Sequence, residues 1–431
     1  MKQTLHIEKI IHGGSGLGRL EGGLVVMVPF VLPGEKVEIK EKKRSKKFIQ
    51  AELLEITQAS PRRISPPCPY YTQCGGCNLQ HIEYPEQLAL KRTLLAETLA
   101  RNKIPLTTAA INDTLPSPQP FAYRYRIRLH LDNKQRLGFH RVGSNQIIPI
   151  SRCLLATDAI NRSLHIFKTN YLDQKLAATW KSVEFIESPA TGKITIVLHP
   201  RRHHSSNAPP LDLSDAADYT VSKNKQHFHA AHPPLNSPQL QQQFSLADFD
   251  YTLSWDSYCF FQTNVEQNVQ LVAWVWDKLN TKKPTTLLDL FCGIGNFSVP
   301  LLLQGWQITG VEHNQRSIAW AKKNSVHPAS TAAITYQCEN VTRSLSQFKQ
   351  KKLGFDVVLL DPPRQGLDRE AVTDLTAMAP QKIVYISCDP ATMARDLAHM
   401  CSSGYSVAEV TPVDMFPQTH HIESVIVLEK N

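Results

Sequence analysis

Two apolar runs rich in β-branched residues, both in the last third of the chain, each end on a polar motif that carries proline. Val357-Val358-Leu359-Leu360 runs into Asp361-Pro362-Pro363-Arg364-Gln365-Gly366, and Ile383-Val384-Tyr385-Ile386 into Ser387-Cys388-Asp389-Pro390. Uninterrupted apolar runs bounded in this way mark strands covered on both faces, as in a parallel sheet. In an open α/β sheet the carboxyl ends of such strands border the ligand crevice. A carboxylate and a thiol are thus delivered to one place. From about residue 262 helix and strand patterns alternate: helices at Val265–Leu279 and Ser317–Asn324, strands at Thr286–Phe291, Gln307–Val311 and Val425–Leu428. That rhythm predicts a doubly wound α/β domain.

Leu287-Leu288-Asp289-Leu290-Phe291-Cys292-Gly293-Ile294-Gly295-Asn296 carries the first strand into a Gly-x-Gly turn. Glycine at 293 and 295 lets the backbone approach a bulky cofactor without a Cβ clash. Asp289, near the strand end, can take a polar group of that cofactor. The next strand ends at Val311-Glu312, about 20 residues on, where a carboxylate can accept both hydroxyls of a ribose. A dinucleotide turn asks for a third glycine, and position 298 is Ser. The segment resembles instead the nucleoside-binding turn of S-adenosylmethionine-dependent methyltransferases. An ordinary αβ turn is the plain alternative; the spaced acid and the downstream Asp-Pro-Pro argue against it.

Cys388 precedes Asp389–Leu397, predicted to be a helix with proline in its first turn. The field at a helix N-terminus favours thiolate, and Asp389 next door opposes it. Cys388 is expected to act as a nucleophile, its alternative being a small buried hydrophobe. Cys292 shares a helix-opening turn but is expected to pack beside the cofactor loop. His420-His421-Ile422-Glu423 sets a carboxylate at the mouth of the last strand. Glu423 is a candidate general base if buried, and an ordinary surface acid if not.

Residues 1–58 read as short strands, Thr4–Ile10, Leu24–Pro29, Glu35–Lys42 and Phe48–Ile56, punctuated by glycines. Five or so such strands predict a small closed barrel of OB-like design. Lys42, Lys43, Arg44, Lys46 and Lys47 crowd one hairpin of it, and the formal net charge is +9. Both suit a polyanionic partner, though each basic cluster alone is no more than a solvated surface. Pro61 to Pro67 marks a boundary. Cys68, Cys74 and Cys77 follow, with Cys153 far downstream. No apolar run is long enough to span a membrane, and the first residues lack a signal-peptide core, so a cytoplasmic location is expected. Disulfides are rare there, and four such thiolates are expected to hold an iron–sulfur cluster or a structural zinc; ligand type allows both. The spacing is not the C-x3-C-x2-C of a radical enzyme. Tyr84–Arg101 is predicted to be an amphipathic helix and residues 121–200 to be rich in strands. The polar stretch 201–245 reads as a loop or irregular insertion, with no function assigned.

Together, Phe261-Gln262-Thr263-Asn264, Asp289–Asn296, Asp361-Pro362-Pro363-Arg364, Ser387-Cys388-Asp389-Pro390 and His421-Ile422-Glu423-Ser424 resemble the RNA uracil-C5 methyltransferases, specifically the iron–sulfur branch acting on 23S ribosomal RNA. The resemblance runs over almost the whole chain. It implies an α/β architecture: a doubly wound Rossmann-like S-adenosylmethionine methyltransferase domain at 261–431, an N-terminal OB-like (TRAM) β-barrel at 1–58, and a central strand-rich α+β domain at 61–260. It implies a [4Fe–4S] cluster on Cys68, Cys74, Cys77 and Cys153, a choice that ligand type left open. By the same resemblance Gln262, Phe291, Asn296, Glu312 and Asn340 contact S-adenosylmethionine, with Asp361 at the methyl-transfer centre. Cys388 would add to uracil C6 and Glu423 would remove the C5 proton. The implied partner is RNA, 23S rRNA ahead of tRNA, with no membrane and no obligate protein partner. Two other readings stand beside it. Methylation of a purine amino group usually sets an aromatic after Pro-Pro, where this chain has Arg364. A non-catalytic iron–sulfur protein that binds RNA or senses oxidation has no need of Cys388 and Glu423 together.

Overall fold

In the computed structural model, alternating apolar residues curl the N-terminal segment into a sheet of six strands. These are β1 (Lys2–His6), β2 (Lys9–Ile10), β3 (Ser15–Arg19), β4 (Val25–Pro29), β5 (Lys36–Arg44) and β6 (Phe48–Gln58), hydrogen-bonded in the order β1-β5-β6-β4-β3-β2. β1 and β2 are halves of one bent strand. The Glu8 N–H donates to Leu17 O at 2.8 Å, so the bent strand closes the sheet and hides its edges. Leu5, Val26, Val28, Val37 and Ile39 fill the interior. The expected barrel is present, and Lys42, Lys43, Arg44, Lys46 and Lys47 stand exposed on its β5–β6 hairpin. Glu35, fully buried, accepts from Arg63 Nε (2.6 Å) and Nη2 (2.8 Å) and latches the barrel to the segment that follows.

The structure describes residues 2–106, 111–172, 176–201, 218–223, 226–229, 240–246, 249–279, 285–327 and 332–431. After the barrel comes α1 (Tyr84–Arg101), then β7 (Arg126–Leu131), β8 (Leu137–His140), β9 (Ile147–Pro149), α2 (Asp158–Tyr171) and α3 (Leu176–Thr179). β10 (Trp180–Glu187), β11 (Ile194–Pro200), β12 (Asp218–Lys223) and β13 (Gln226–His229) complete a sheet ordered β13-β12-β11-β10-β7-β8-β9. β14 (Leu240–Leu246) and β15 (Phe249–Trp255) form a separate antiparallel hairpin. The reading of 201–245 as irregular is corrected here: β12, β13 and all but the last residue of β14 fall within it, and its other residues from 202 onward lie outside the described ones. β12 adds to β11 by backbone pairing, which needs no apolar signature in the sequence.

The remaining elements are α4 (Val265–Leu279), β16 (Thr286–Leu290), α5 (Ser298–Leu303), β17 (Gln307–Glu312), α6 (Gln315–Asn324), β18 (Ile334–Cys338) and α7 (Val341–Gln350). They continue as β19 (Val357–Leu360), α8 (Arg369–Ala377), β20 (Lys382–Ser387), α9 (Pro390–Ser402), β21 (Tyr405–Val413) and β22 (Glu423–Lys430). Their sheet is ordered β18-β17-β16-β19-β20-β22-β21, with β22 antiparallel to both of its neighbours. Strand order reverses between β16 and β19, which opens the crevice expected of a doubly wound sheet. α1 packs against this sheet: Leu95 and Leu99 share a core with Met393 and Leu397 of α9. Among the described residues no helix is long and apolar enough to cross a membrane.

Candidate active site

β20 and β22 run antiparallel with Ser387 opposite Ser424, so the next pair outward, Cys388 and Glu423, meet across the strand ends. Leu360 pairs with Tyr385, and Asp361 therefore leaves β19 beside them, its N–H donating to Leu290 O at 3.3 Å. Glu423 is buried, 3% exposed. Burial, and then the charge of Asp361, push its carboxyl well above the usual range, with Arg364 opposing. Burial, with Glu423 and Asp361 adding, pushes the Cys388 thiol up to about 12, and Arg364 again opposes. Asp361 itself is raised by burial to about 7. The expected pull of the α9 N-terminus toward thiolate is therefore outweighed: desolvation and two carboxylates beat a helix end. Asp389 is the cap of α9, accepting from the N–H groups of Ala391 (3.0 Å) and Thr392 (2.9 Å). Arg364, noted in the sequence only as a departure from an aromatic, is the cation that faces this acidic group.

The cofactor turn lies one strand away. Phe291 holds a positive φ of 63°, a costly conformation that re-aims the chain as it leaves β16. Gly295 has φ +90°, where any other side chain is strained, and a Cβ there would crowd Val299 Cγ2 at 3.0 Å. Asp289 is buried; its Oδ2 accepts from Ser298 Oγ, and its Oδ1 is buried without a hydrogen-bond partner among the described residues. Burial raises this carboxyl to about 7, with Asp361 and Glu312 adding to the shift. Three acids gathered about one turn, one with an unused oxygen, fit a ligand that carries positive charge, as the sulfonium and ammonium of S-adenosylmethionine do. Glu312 lies at the end of β17, its Oε1 accepting from Asn314 N–H at 2.8 Å. Gln262 is buried in a loop anchored by Tyr125 N–H to Thr263 O at 2.9 Å.

Asn296 exchanges two amide hydrogen bonds with Asn268 of α4 (2.9 and 3.0 Å), which fixes it beside the turn. Asn340 is exposed at the end of β18, where its side chain caps α7 by accepting from Arg343 N–H at 3.2 Å. Only its Oδ1 is engaged by the helix. Cys292 is buried against Ile318, Ala321 and Tyr336, as expected of a packing thiol.

Cys68, Cys74, Cys77 and Cys153 line one cavity of about 410 Å³ together with Arg124 and Arg152. All four are free thiols. Burial raises Cys68, brings Cys74 to about 11 and Cys77 to about 12, and neighbouring cysteines add to each shift. Gly76 N–H donates to Cys74 Sγ at 3.4 Å. Arg124 has a buried Nε without a partner among the described residues. Among the described residues no three His, Cys, Asp or Glu side chains are gathered as ligands of a metal ion.

The family model for tRNA (Uracil-5-)-methyltransferase matches residues 83–431, and the TRAM domain model matches residues 2–54. A 23S rRNA (uracil(1939)-C(5))-methyltransferase from Shewanella amazonensis is 32% identical over 434 residues, covering 99% of this chain and 96% of its own length. An uncharacterized RNA methyltransferase from Aquifex aeolicus is 33% identical, with 99% and 98% covered. The crystal structure of the Pyrococcus abyssi tRNA (uracil-54, C5)-methyltransferase in complex with S-adenosyl-L-homocysteine aligns with a TM-score of 0.75 at 26% identity, over 98% of this chain and 99% of that one.

Proposed function

The chain belongs to the tRNA (uracil-5-)-methyltransferase family, enzymes that methylate C5 of uridine in RNA, and on that premise we propose that it modifies a uridine of 23S ribosomal RNA through Cys388 and Glu423. The observation that carries the catalytic reading is the β20–β22 register, which sets the thiol against the carboxyl with Asp361 alongside. Uracil C5 is a poor nucleophile while the ring is intact. Cys388 gives its proton to solvent as the base arrives, adds through sulfur to C6 and drives the ring electrons toward C5. When bound, S-adenosylmethionine supplies the electrophilic methyl group that C5 takes up. Glu423 as carboxylate then accepts the C5 proton, and the C6–S bond breaks with its electrons returning to sulfur. Glu423 passes that proton to solvent, and Arg364 favours the anionic form of both side chains.

Glu312 would hold the ribose hydroxyls of the cofactor, while Asp289 and Asp361 would face its cationic end. Gln262, Phe291 and Asn296 would border it, and Asn340, its Oδ1 engaged by α7, would contact it from the end of β18. The target base must leave its stack to reach a crevice at the strand ends. In favour of 23S rRNA stands the near full-length identity to enzymes so named. The Pyrococcus likeness favours tRNA as the second reading.

We also infer that Cys68, Cys74, Cys77 and Cys153 hold a [4Fe–4S] cluster. In support, four free thiols that are costly to ionise together line one cavity and face Arg124. Such a cluster offers a separate iron to each thiolate, so its ligands stand further apart than those of a single ion. Purified protein should contain iron and acid-labile sulfide, and Cys74→Ser should lose both.

RNA carrying 5-fluorouridine tests the chemistry, because fluorine cannot leave as a proton does. The wild type should form a covalent protein–RNA adduct and Cys388→Ala none, while Glu423→Gln should accumulate adduct on ordinary RNA. Methylation by Cys388→Ala would sink the nucleophile assignment. Nucleoside mapping of rRNA and tRNA after incubation separates the two substrates.

A further inference from the structure

A groove of about 260 Å³ opens two residues from Glu423; it shares Gly75, Gly76, Cys77 and Val142 with the wall of the cysteine cavity. Three parts of the chain meet there: the Gly13–Ser15 turn of the barrel, the Gly75–Asn78 loop, and Thr419–His421 ahead of β22. Asn78 joins them. Its Oδ1 accepts from the backbone N–H of His420 at 2.9 Å, which makes its Nδ2 the donor to Gly13 O (3.1 Å) and to His420 Nδ1 (2.9 Å). Nδ1 of His420 can then only accept, so the ring is neutral and carries its proton on Nε2. Burial, with His12, Lys91 and Arg364, agrees with this, lowering the ring to about 4. The junction is tight: Gly14 has φ +77°, and a Cβ there would lie 2.4 Å from Asn78 Nδ2. The ring of His421 lies 4.3 Å from that of His420, and that of His12 6.3 Å from it at right angles.

We propose that this groove receives the base of an RNA nucleotide flanking the target uridine, with Nε2–H of His420 donating to an acceptor on that base's edge. The proposal rests on a uridine in RNA being the substrate. The wall selects the ligand: among the described residues that line it there is no Lys, Arg, Asp or Glu, in a chain of formal net charge +9. No Lys or Arg side chain lines the wall to pair with a phosphate, whereas an uncharged heteroaromatic ring would find histidine rings and a neutral donor. Splayed bases of single-stranded RNA are recognised in this way, by stacking and edge hydrogen bonds. The place is right as well, since the groove joins the barrel that carries the basic hairpin to the strand mouth that carries Glu423.

The test is single-turnover methylation by the full-length, cluster-containing enzyme of an RNA hairpin with its target uridine. Abasic residues are placed in turn at each of the positions flanking the target. At one position the abasic RNA should raise the half-saturating concentration about tenfold with wild type, the size of one lost hydrogen bond and stack. His420→Phe, which keeps a ring but has no N–H, should raise it about as much on intact RNA, the two losses should not multiply, and the maximal rate should move little. His420→Gln, which restores a donor, should recover part of the loss. A wild-type experiment needs no variant to fold: removing only the acceptor atom of that base should reproduce most of the abasic effect. Multiplying losses at every position, or an unaltered His420→Phe, would overturn the groove. Wild type that methylates no uridine in any RNA would instead overturn the functional reading.

Discussion

Asp289 shows how far one side chain's chemistry depends on its burial. In the unfolded chain its carboxyl ionises near 3.8, whereas burial, with Asp361 and Glu312, raises it to about 7 in the fold. The folded state therefore holds a proton that the unfolded state releases between about pH 4 and pH 7. Stability falls as pH rises through that window and levels off above it, by at most a few kcal/mol. Asp289→Asn removes the penalty. Thermal melts of the cofactor-free protein should show the variant gaining on wild type at pH 8 and little changed at pH 4.5; parallel curves at both would refute the account. A cationic ligand reverses the preference and favours the carboxylate. S-adenosylmethionine should therefore bind more tightly as pH rises toward 8, with proton release visible by calorimetry in buffers of different ionisation enthalpy, and Asp289→Asn should weaken both effects. The sequence announced Asp289, Cys388 and Glu423, because acids and a thiol at strand ends stand out against apolar runs. Their protonation was not legible there: the opposing pulls on Cys388 come from residues 361, 364 and 423, and only the fold brings these together.

Among the elements, α1 is held to the sheet domain by its apolar face and by a buried ion pair. Lys91 Nζ donates to Asp414 Oδ1 at 2.5 Å and to Phe416 O at 3.1 Å, and both charged side chains are fully buried. Removing one partner strands the other charge out of water, at a cost of about 3–5 kcal/mol. Lys91→Met should lower the unfolding free energy measured by denaturant titration by that much, and Lys91→Met with Asp414→Leu should recover most of it. A double variant as unstable as the single would mean that packing around Lys91, and not its charge, anchors the helix. α1 and α4 were legible to the residue, since each repeats its buried positions at helical spacing. β18 and β21 were not. β18 is an edge strand, with Thr335 and Cys338 exposed, and the Tyr405–Val413 pattern shifts register at a bulge between Val407 and Glu409. β12 and β13 escaped for another reason: they complete a sheet by backbone pairing inside a polar segment.

Across the whole molecule, Asn78 ties the barrel turn at Gly13 to the segment that leads into β22. Lys42 of the β5–β6 hairpin reaches the Gly143 turn, where a built Cβ would stand 4.0 Å from its Nζ, and Gly143 lines the cysteine cavity. The Glu35–Arg63 latch holds the barrel in that pose. Burial alone would raise Glu35, but Arg63 and the N–H groups of Leu32 and Ser60 leave its carboxyl below the usual range. The stability it contributes is thus present above about pH 4.5 and is lost as pH falls through the lowered value. With the barrel fixed, its exposed lysines must act on RNA as fixed charges, through phosphates and without regard to sequence. Replacing Lys42, Lys43 and Lys47 together by alanine should flatten the dependence of log affinity on log salt by about 2 to 3 units, near 0.7–0.9 per lost phosphate contact. The same variant should bind matched and unmatched RNA hairpins more weakly by similar factors, because phosphate contacts carry no base information. Filter binding across a salt series measures both quantities. An unaltered slope would mean that RNA enters by another face, and the proposed groove between barrel and Glu423 would lose the approach path it needs.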